Sequence, residues 1–562
     1  MDSNLLRTKS IEQLVGDVEH GNKALKRSLS AWDLTLLGIG AIIGTGIFVL
    51  TGTAAANQAG PAIMMSYLVA GLSCGFAALC YAEFASMIPI AGSAYTYAYA
   101  TMGELFAWII GWDLILEYAV GSMTVAIGWS GYMQRLLSGV GIALPTWMAA
   151  APSASSPGAI INLPAVLIVL CIMYLLIVGI RESARFNAVM VGIKLAAVLF
   201  FIGAGAVYVK PENWDPFTPY GWSGVMGAAG VVFFAYIGFD AVSTTAEEAK
   251  NPQRDLPIGI IASLVLCTVL YLAVAAVLTG IVPVVDYKAD QQFLNAPVAF
   301  ALSLIGQDWA SYLVSAGAVA GITSVLLVML MSQPRIFFAM SRDGLLPQGI
   351  SKVHPKFGTP YITTIITCVI VAFVAGVTQI QTVGEMTSIG TLFAFAIVCG
   401  AVLILRVTRP EVHRPFRVPF GPLFPVLGII FCVYLMLNLP ILTWVRFLVW
   451  LDLGMMIYWF YGRTHSPLVD KAEAGRRTSF QGLANFVFVA GILAVFNFAC
   501  VTVLAYMTEF GITNETIAKW HEIDVTPEAA DAFALRWLAV SAVVFAAGFV
   551  MRKASGADAA NA

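Results

Sequence analysis

Four glycines, Gly38, Gly40, Gly44 and Gly46, fall within nine positions of an otherwise apolar stretch. Each costs a helix about 0.5–1 kcal/mol relative to alanine, which weakens a membrane span where lipid most demands satisfied backbone groups. The G-x-G-x-x-x-G spacing, with Leu36 and Leu37 before it and Ile47 and Phe48 after it, is not that of a dinucleotide loop. Two readings remain. Gly40-x-x-x-Gly44 would let two helices pack closely; alternatively, the helix is broken at mid-membrane. In the second case, a half-helix restarting near Thr45 aims free amides and the positive end of its dipole into the break, which suits a carboxylate.

A second interruption lies at Phe233-Phe234-Ala235-Tyr236-Ile237-Gly238-Phe239-Asp240. Unpaired carbonyls of Phe234, Ala235 and Ile237 would suit a primary ammonium, so the two breaks together could hold an α-amino acid zwitterion through backbone alone. A charged Asp240 at the bilayer centre costs about 2.5–3.5 kcal/mol on insertion scales. It is expected either to cap the resumed half-helix or to meet substrate or proton directly.

Three further ionisable residues lie deep in apolar sequence. Lys194 sits about 12 Å beyond the start of its apolar window at 1.5 Å per residue, too deep for easy snorkelling. Burial disfavours the charged form of a lysine. Lys194 is therefore expected to carry a proton or to hold the broken first helix by its charge. Asp113 and Glu117, four residues apart, share one helix face. Glu117 would neighbour the ammonium, widen preference toward cations, or sit as a protonated carboxyl bonded to another helix; Asp113 reads as structural.

The elements that must position these groups are membrane helices. The chain has 562 residues, 59% hydrophobic and 11% charged, against about 25% charged in soluble domains. Apolar windows fall near 34–55, 62–84, 102–134, 161–180, 186–208, 223–246, 257–281, 309–333, 361–378, 385–405, 422–442, 444–461, 484–507 and 533–551, predicting about fourteen spans. Basic residues recur in every second loop, among them Arg181, Lys250, Arg342, Arg406, Arg414, Arg463 and Arg552. That alternation puts both termini in the cytoplasm, and the first 30 residues lack the apolar core of a signal peptide.

All eight cysteines fall in apolar windows without a CxxC pair, and the five histidines lie in polar loops. Zinc, nucleophile-elbow and nucleotide-loop spacings are missing from the sequence, so an enzyme is not expected, nor a cofactor, a metal or a nucleic-acid partner. Breaks in spans 1 and 6 imply two five-span units, 31–208 and 222–406. Because five is odd, the second enters the membrane inverted, which makes Gly44 and Gly238 pseudo-equivalent. Around them lie a cytoplasmic segment 1–30, spans 11 and 12 at 422–462, a cytoplasmic linker 463–483, two extra spans in 484–551 and a tail 552–562.

Gly38 to Phe48, Phe233 to Asp240, Glu247 to Pro257, Pro334 to Pro347 and Arg414-Pro415-Phe416-Arg417-Val418-Pro419 together resemble the amino acid, polyamine and organocation superfamily, specifically bacterial members of the cationic amino acid transporter family. The resemblance spans about residues 30–460. It implies an all-α, five-plus-five inverted-repeat fold working by alternating access, with substrate contacts at Ile43, Gly44, Thr45, Gly46, Phe234, Ala235, Ile237 and Gly238. It also implies that Lys194 contacts the first-span break in place of a sodium site, that Glu117 is a third-span acid near the substrate, and that Ile322-Thr323-Ser324 belongs to the region lining the side-chain pocket. A bulky Ile322 would favour small or neutral side chains.

The expected protein is thus a multi-pass carrier of the cytoplasmic membrane that takes up L-amino acids with protons, neutral ones somewhat ahead of cationic ones. An amino acid or amine exchanger and a membrane amino acid sensor are the alternatives. Substrate, protons and the lipid bilayer are its expected partners, with an accessory membrane subunit left open.

Overall fold

Apolar stretches of this length satisfy their backbone groups within hydrocarbon only as helices or closed barrels. In a computed structural model that describes residues 29–466 except 89–92, 153–155, 179–183, 348, 351 and 358, each of the first twelve windows is helical. Span 1 comprises Ala31–Ile42 and, after a break, 46–59. Spans 2 to 5 are Ile63–Met87, Glu104–Gly139, Leu163–Val178 and Ala184–Ala206. Span 6 runs from Gly221–Val232 through Phe233–Tyr236 to Phe239–Glu248. Spans 7 to 12 are Pro252–Ile281, Asp308–Arg342, Tyr361–Val377, Ile380–Thr408, Leu423–Leu437 and Ile441–Ile457. Eight of the described helices are long and apolar enough to cross a membrane, and four shorter apolar helices accompany them. Among the described residues there is no strand, only an isolated bridge between Leu29 and Ala249. The expected linker 463–483 lies mostly, and the expected spans 13 and 14 and the terminal segments 1–28 and 552–562 lie wholly, outside the described residues.

Neighbour relations carry the signature of a repeat. Span 2 packs on span 7, span 3 on span 8 and span 4 on span 9; span 1 packs on span 7 as span 6 does on span 2, and span 3 on span 10 as span 8 does on span 5. Exchanging each span for the one five places on maps this set of pairs onto itself.

Two connections fix helices that apolar periodicity could not have joined. Trp112 stacks on Trp450 with ring centres 4.5 Å apart, and each indole donates to the other's backbone carbonyl, at 2.8 and 3.2 Å. The Trp108 indole donates to the Gly454 carbonyl at 3.0 Å, so span 12 is welded along span 3. At the ends of spans 2 and 10, buried Glu83 receives the Arg406 guanidinium through two donors, lies 3.5 Å from Arg414 and accepts the Val418 amide at 2.8 Å. The Arg-Pro-Phe-Arg-Val-Pro stretch is thereby strapped to span 2.

Short helices at Ser93–Thr101, Gln291–Asn295 and Pro297–Leu304 escape the apolar-window reading because none is long enough to register. The last two press on the resumed half of span 1, where Gly52 meets Pro297 closely and Phe293 at 3.3 Å from a Cβ position.

Candidate substrate site

The first half of span 1 begins with a capping box: the Ser30 amide donates to the Asp33 carboxylate at 2.9 Å, and the Asp33 amide donates to the Ser30 hydroxyl at 3.4 Å. The helix ends at Ile42. Ile43 is extended (φ −74°, ψ 106°), and the chain resumes as a π-helical turn over Gly46–Leu50. Of the opening amides of that turn, that of Phe48 donates back to the Gly44 carbonyl at 3.3 Å, and a helix start leaves further amides without a helical acceptor. In span 6, Ile237 is extended (φ −60°, ψ 135°) and Gly238 takes φ +118°, a conformation that favours glycine, before the helix resumes.

The two breaks touch. A Cβ on Gly46 would collide with the Cα and Cβ of Ala235, and one on Gly238 would lie 2.8 Å from the Ala41 carbonyl oxygen. Gly38 serves close packing, since a Cβ there would come 2.5 Å from the Ser263 hydroxyl of span 7. Both readings of the glycine run therefore hold, at different glycines. Thr45 packs against Gly128 of span 3, and a Cβ on Gly44 would stand 3.2 Å from Val325 of span 8.

Lys194 is fully buried, and its ammonium donates to the carbonyls of Gly40 at 2.5 Å and Ile43 at 3.1 Å. These are among the last carbonyls of the first half-helix, which lack helical partners. Gly321 makes room for it, a Cβ there lying 2.8 Å from the lysine Cβ. Asp240 is the second residue of the resumed span 6 rather than its cap, which is Gly238; the amides of Gly238, Asp240 and Ala241 lie against its carboxyl. Glu117 is buried beside Asp113 and Asp240, the Thr391 hydroxyl faces its carboxyl, and its Oε1 has no hydrogen-bond partner among the described residues.

The structure thus brings Ile43, Gly44, Thr45, Gly46, Ala235, Gly238 and Lys194 into one neighbourhood. Of the carbonyls expected to meet an ammonium, that of Phe234 accepts the Ile237 amide at 3.2 Å and that of Ala235 accepts a hydroxyl from Tyr271 at 2.6 Å, each keeping a second lone pair. Ile322 is fully buried on span 8, but the residues of that span that face the first break and Lys194 are Val325 and Gly321. Thr323 instead accepts the Trp129 indole at 2.8 Å. Every proposed site residue is buried.

Sequence reasoning missed Tyr67, Tyr271 and Val325. The Tyr67 hydroxyl lies 3.3 Å from the Gly46 carbonyl and 2.6 Å from the Thr51 hydroxyl. The available signal was a tyrosine hydroxyl inside an apolar span, which needs a partner when buried.

Residues 29–461 match the family described as amino acid permease. The chain belongs to that family. The family's match ends at residue 461, ahead of the expected extra spans. The chain is 52% identical to the branched-chain amino acid permease BcaP of Bacillus subtilis (strain 168), over 83% of this chain and 100% of that protein. It is 49% identical to the methylthioribose transporter of the same organism, over 83% and 99%, and 31% identical to cationic amino acid transporter 4, vacuolar, of Arabidopsis thaliana, over 83% and 96%. The chain is therefore a multi-pass membrane protein of an amino acid transport family, and its relatives are carriers rather than enzymes.

Proposed function

We propose that the chain takes up neutral L-amino acids together with protons by alternating access. The single observation that carries this reading is the seam between the breaks, where Gly46 meets Ala235 while the Lys194 ammonium holds the carbonyls of Gly40 and Ile43. Amides after the first break receive the carboxylate, and the carbonyls of Phe234, Ala235 and Ile237 receive the ammonium. The proton rides on Lys194, whose loss of charge frees the first half-helix to move. Ile43 and Val325 leave an apolar wall for the substrate side chain, which supports an aliphatic substrate, and the 52% identity to a branched-chain amino acid permease supports the same class.

Glu117 favours a second reading: an unpartnered carboxyl oxygen near the site would attract a cationic side chain. In either case, residues 31–208 and 222–406 are the moving transport unit, 422–462 brace it, and the side bearing the basic loops faces the cytoplasm.

Uptake of labelled L-leucine and L-arginine into proteoliposomes, with and without an imposed pH gradient, tests this. Gradient-driven accumulation of leucine is expected. Uptake that ignores the gradient but requires internal substrate would identify an exchanger, and binding without uptake a sensor. Including methylthioribose as a competitor tests the chemistry named for the second Bacillus relative.

A further inference from the structure

Tyr271 of span 7 is buried with its hydroxyl between the two breaks, 3.1 Å from the Ile42 carbonyl and 2.6 Å from that of Ala235. Ile42 ends the first half-helix of span 1, and Ala235 lies in the last turn of the first half-helix of span 6. A tyrosine has one proton to donate, so one hydroxyl is shared by two carbonyls that their helices leave unpaired.

Which halves it joins is decided by the chain's other connections. Leu29 and Glu248–Lys250 are paired by backbone hydrogen bonds at 3.0 and 2.8 Å, so the second half of span 6 ends beside the start of span 1. Gly38 packs on Val242 as well as on Ser263, along the same side. The first half of span 1 and the second half of span 6 are thus one packed pair, and the first half of span 6 lies in the other half of the membrane. Tyr271 is a contact that crosses between them.

We propose that Tyr271 is a positioning residue for transport, a latch that holds the end of the first half-helix of span 1 against the ammonium-receiving turn of span 6 while the site is closed. Opening toward the Leu29 end swings Ile42 away, the hydroxyl keeps its shorter bond to Ala235, and the two breaks no longer frame one ligand. The ring is held for this by Tyr67 and Tyr236, with centroids each 5.2 Å from that of Tyr271, and a second hydroxyl, from Tyr67, steadies the far side of the first break at Gly46. The ligand in this inference is the amino acid of the preceding section, and the latch itself rests on the contacts alone.

The test is Tyr271→Phe in the full chain in nanodiscs, with Tyr236→Phe as the control. The latter removes a hydroxyl that donates to the Tyr67 carbonyl of span 2 at 2.8 Å rather than to the Ile42 or Ala235 carbonyl. Without substrate, Tyr271→Phe is expected to speed amide exchange in 31–43 and 233–238 about tenfold while leaving span 10 unchanged, and to weaken L-leucine binding about tenfold with an unaltered melting temperature. Unchanged local exchange, or the same effect from Tyr236→Phe, overturns the latch. If the wild type binds no amino acid, the functional reading fails, yet the exchange comparison still decides the latch. Should Tyr271→Phe not fold, wild-type exchange with and without L-leucine replaces it: joint protection of 31–43 and 233–238 supports the latch, and independent protection of the two segments overturns it.

Discussion

The Lys194 ammonium and the Ile43 carbonyl, 3.1 Å apart, join span 5 to the point where span 1 breaks. A buried cation on orphan carbonyls stabilises the broken helix only while it is charged. Under the proposed proton coupling, the charge on Lys194 would set the geometry of this break.

Replacing Lys194 with methionine keeps the stem and removes the charge. Gradient-driven accumulation is expected to fall by about tenfold or more, the scale of a lost charge-assisted hydrogen bond, with exchange of internal for external substrate persisting. Paired uptake and counterflow assays on one preparation measure both, and full accumulation by Lys194→Met would rule out the lysine as proton carrier.

Gly46→Ala drives a methyl into the Ala235 backbone, and Gly238→Ala adds one beside the Ala41 carbonyl at φ +118°. Both variants are expected to lose transport by more than about tenfold, since backbone rather than a flexible side chain must yield. Gly203→Ala in span 5, where a Cβ meets nothing within 4 Å, is the control and should transport normally. Initial uptake rates normalised to membrane protein give the comparison.

Val325 faces Gly44, so Val325→Ala opens room beside the first break. Bulkier aliphatic or aromatic amino acids should gain on leucine in a twenty-member competition panel, by about 1–3 kcal/mol per methylene accommodated. Glu117→Gln separates the two substrate readings: arginine competition that vanishes with the carboxyl supports the cationic one, and an unchanged panel leaves Glu117 structural.

Glu83→Gln strands two guanidinium groups in a buried strap. A loss of about 3–5 kcal/mol is expected, because removing one partner of a buried pair leaves uncompensated charge. Thermal unfolding in detergent, read beside that of Glu411→Gln at an exposed position of the same loop, measures it. Equal melting temperatures would mean that the strap adds nothing to stability.

The first twelve spans, the two breaks and the polar residues sunk among them were legible in the sequence, because membrane helices declare themselves by length and hydropathy, and a glycine or charge in hydrocarbon is costly enough to stand out. Asp240, Lys194 and Glu117 were legible for that reason. What satisfies the broken backbone emerges from the packing of distant spans. Tyr67, Tyr271 and Val325 read as ordinary apolar-span residues until Gly46, Ala235 and Gly44 lie against them, and the carbonyls that the two tyrosines serve come from residues up to 229 positions away. The short helices that close on Gly52, and the Trp112–Trp450 weld, were hidden likewise. A hydrogen bond between distant segments depends on where each helix is placed to within a fraction of an ångström, and spacing along a single chain carries no such distance.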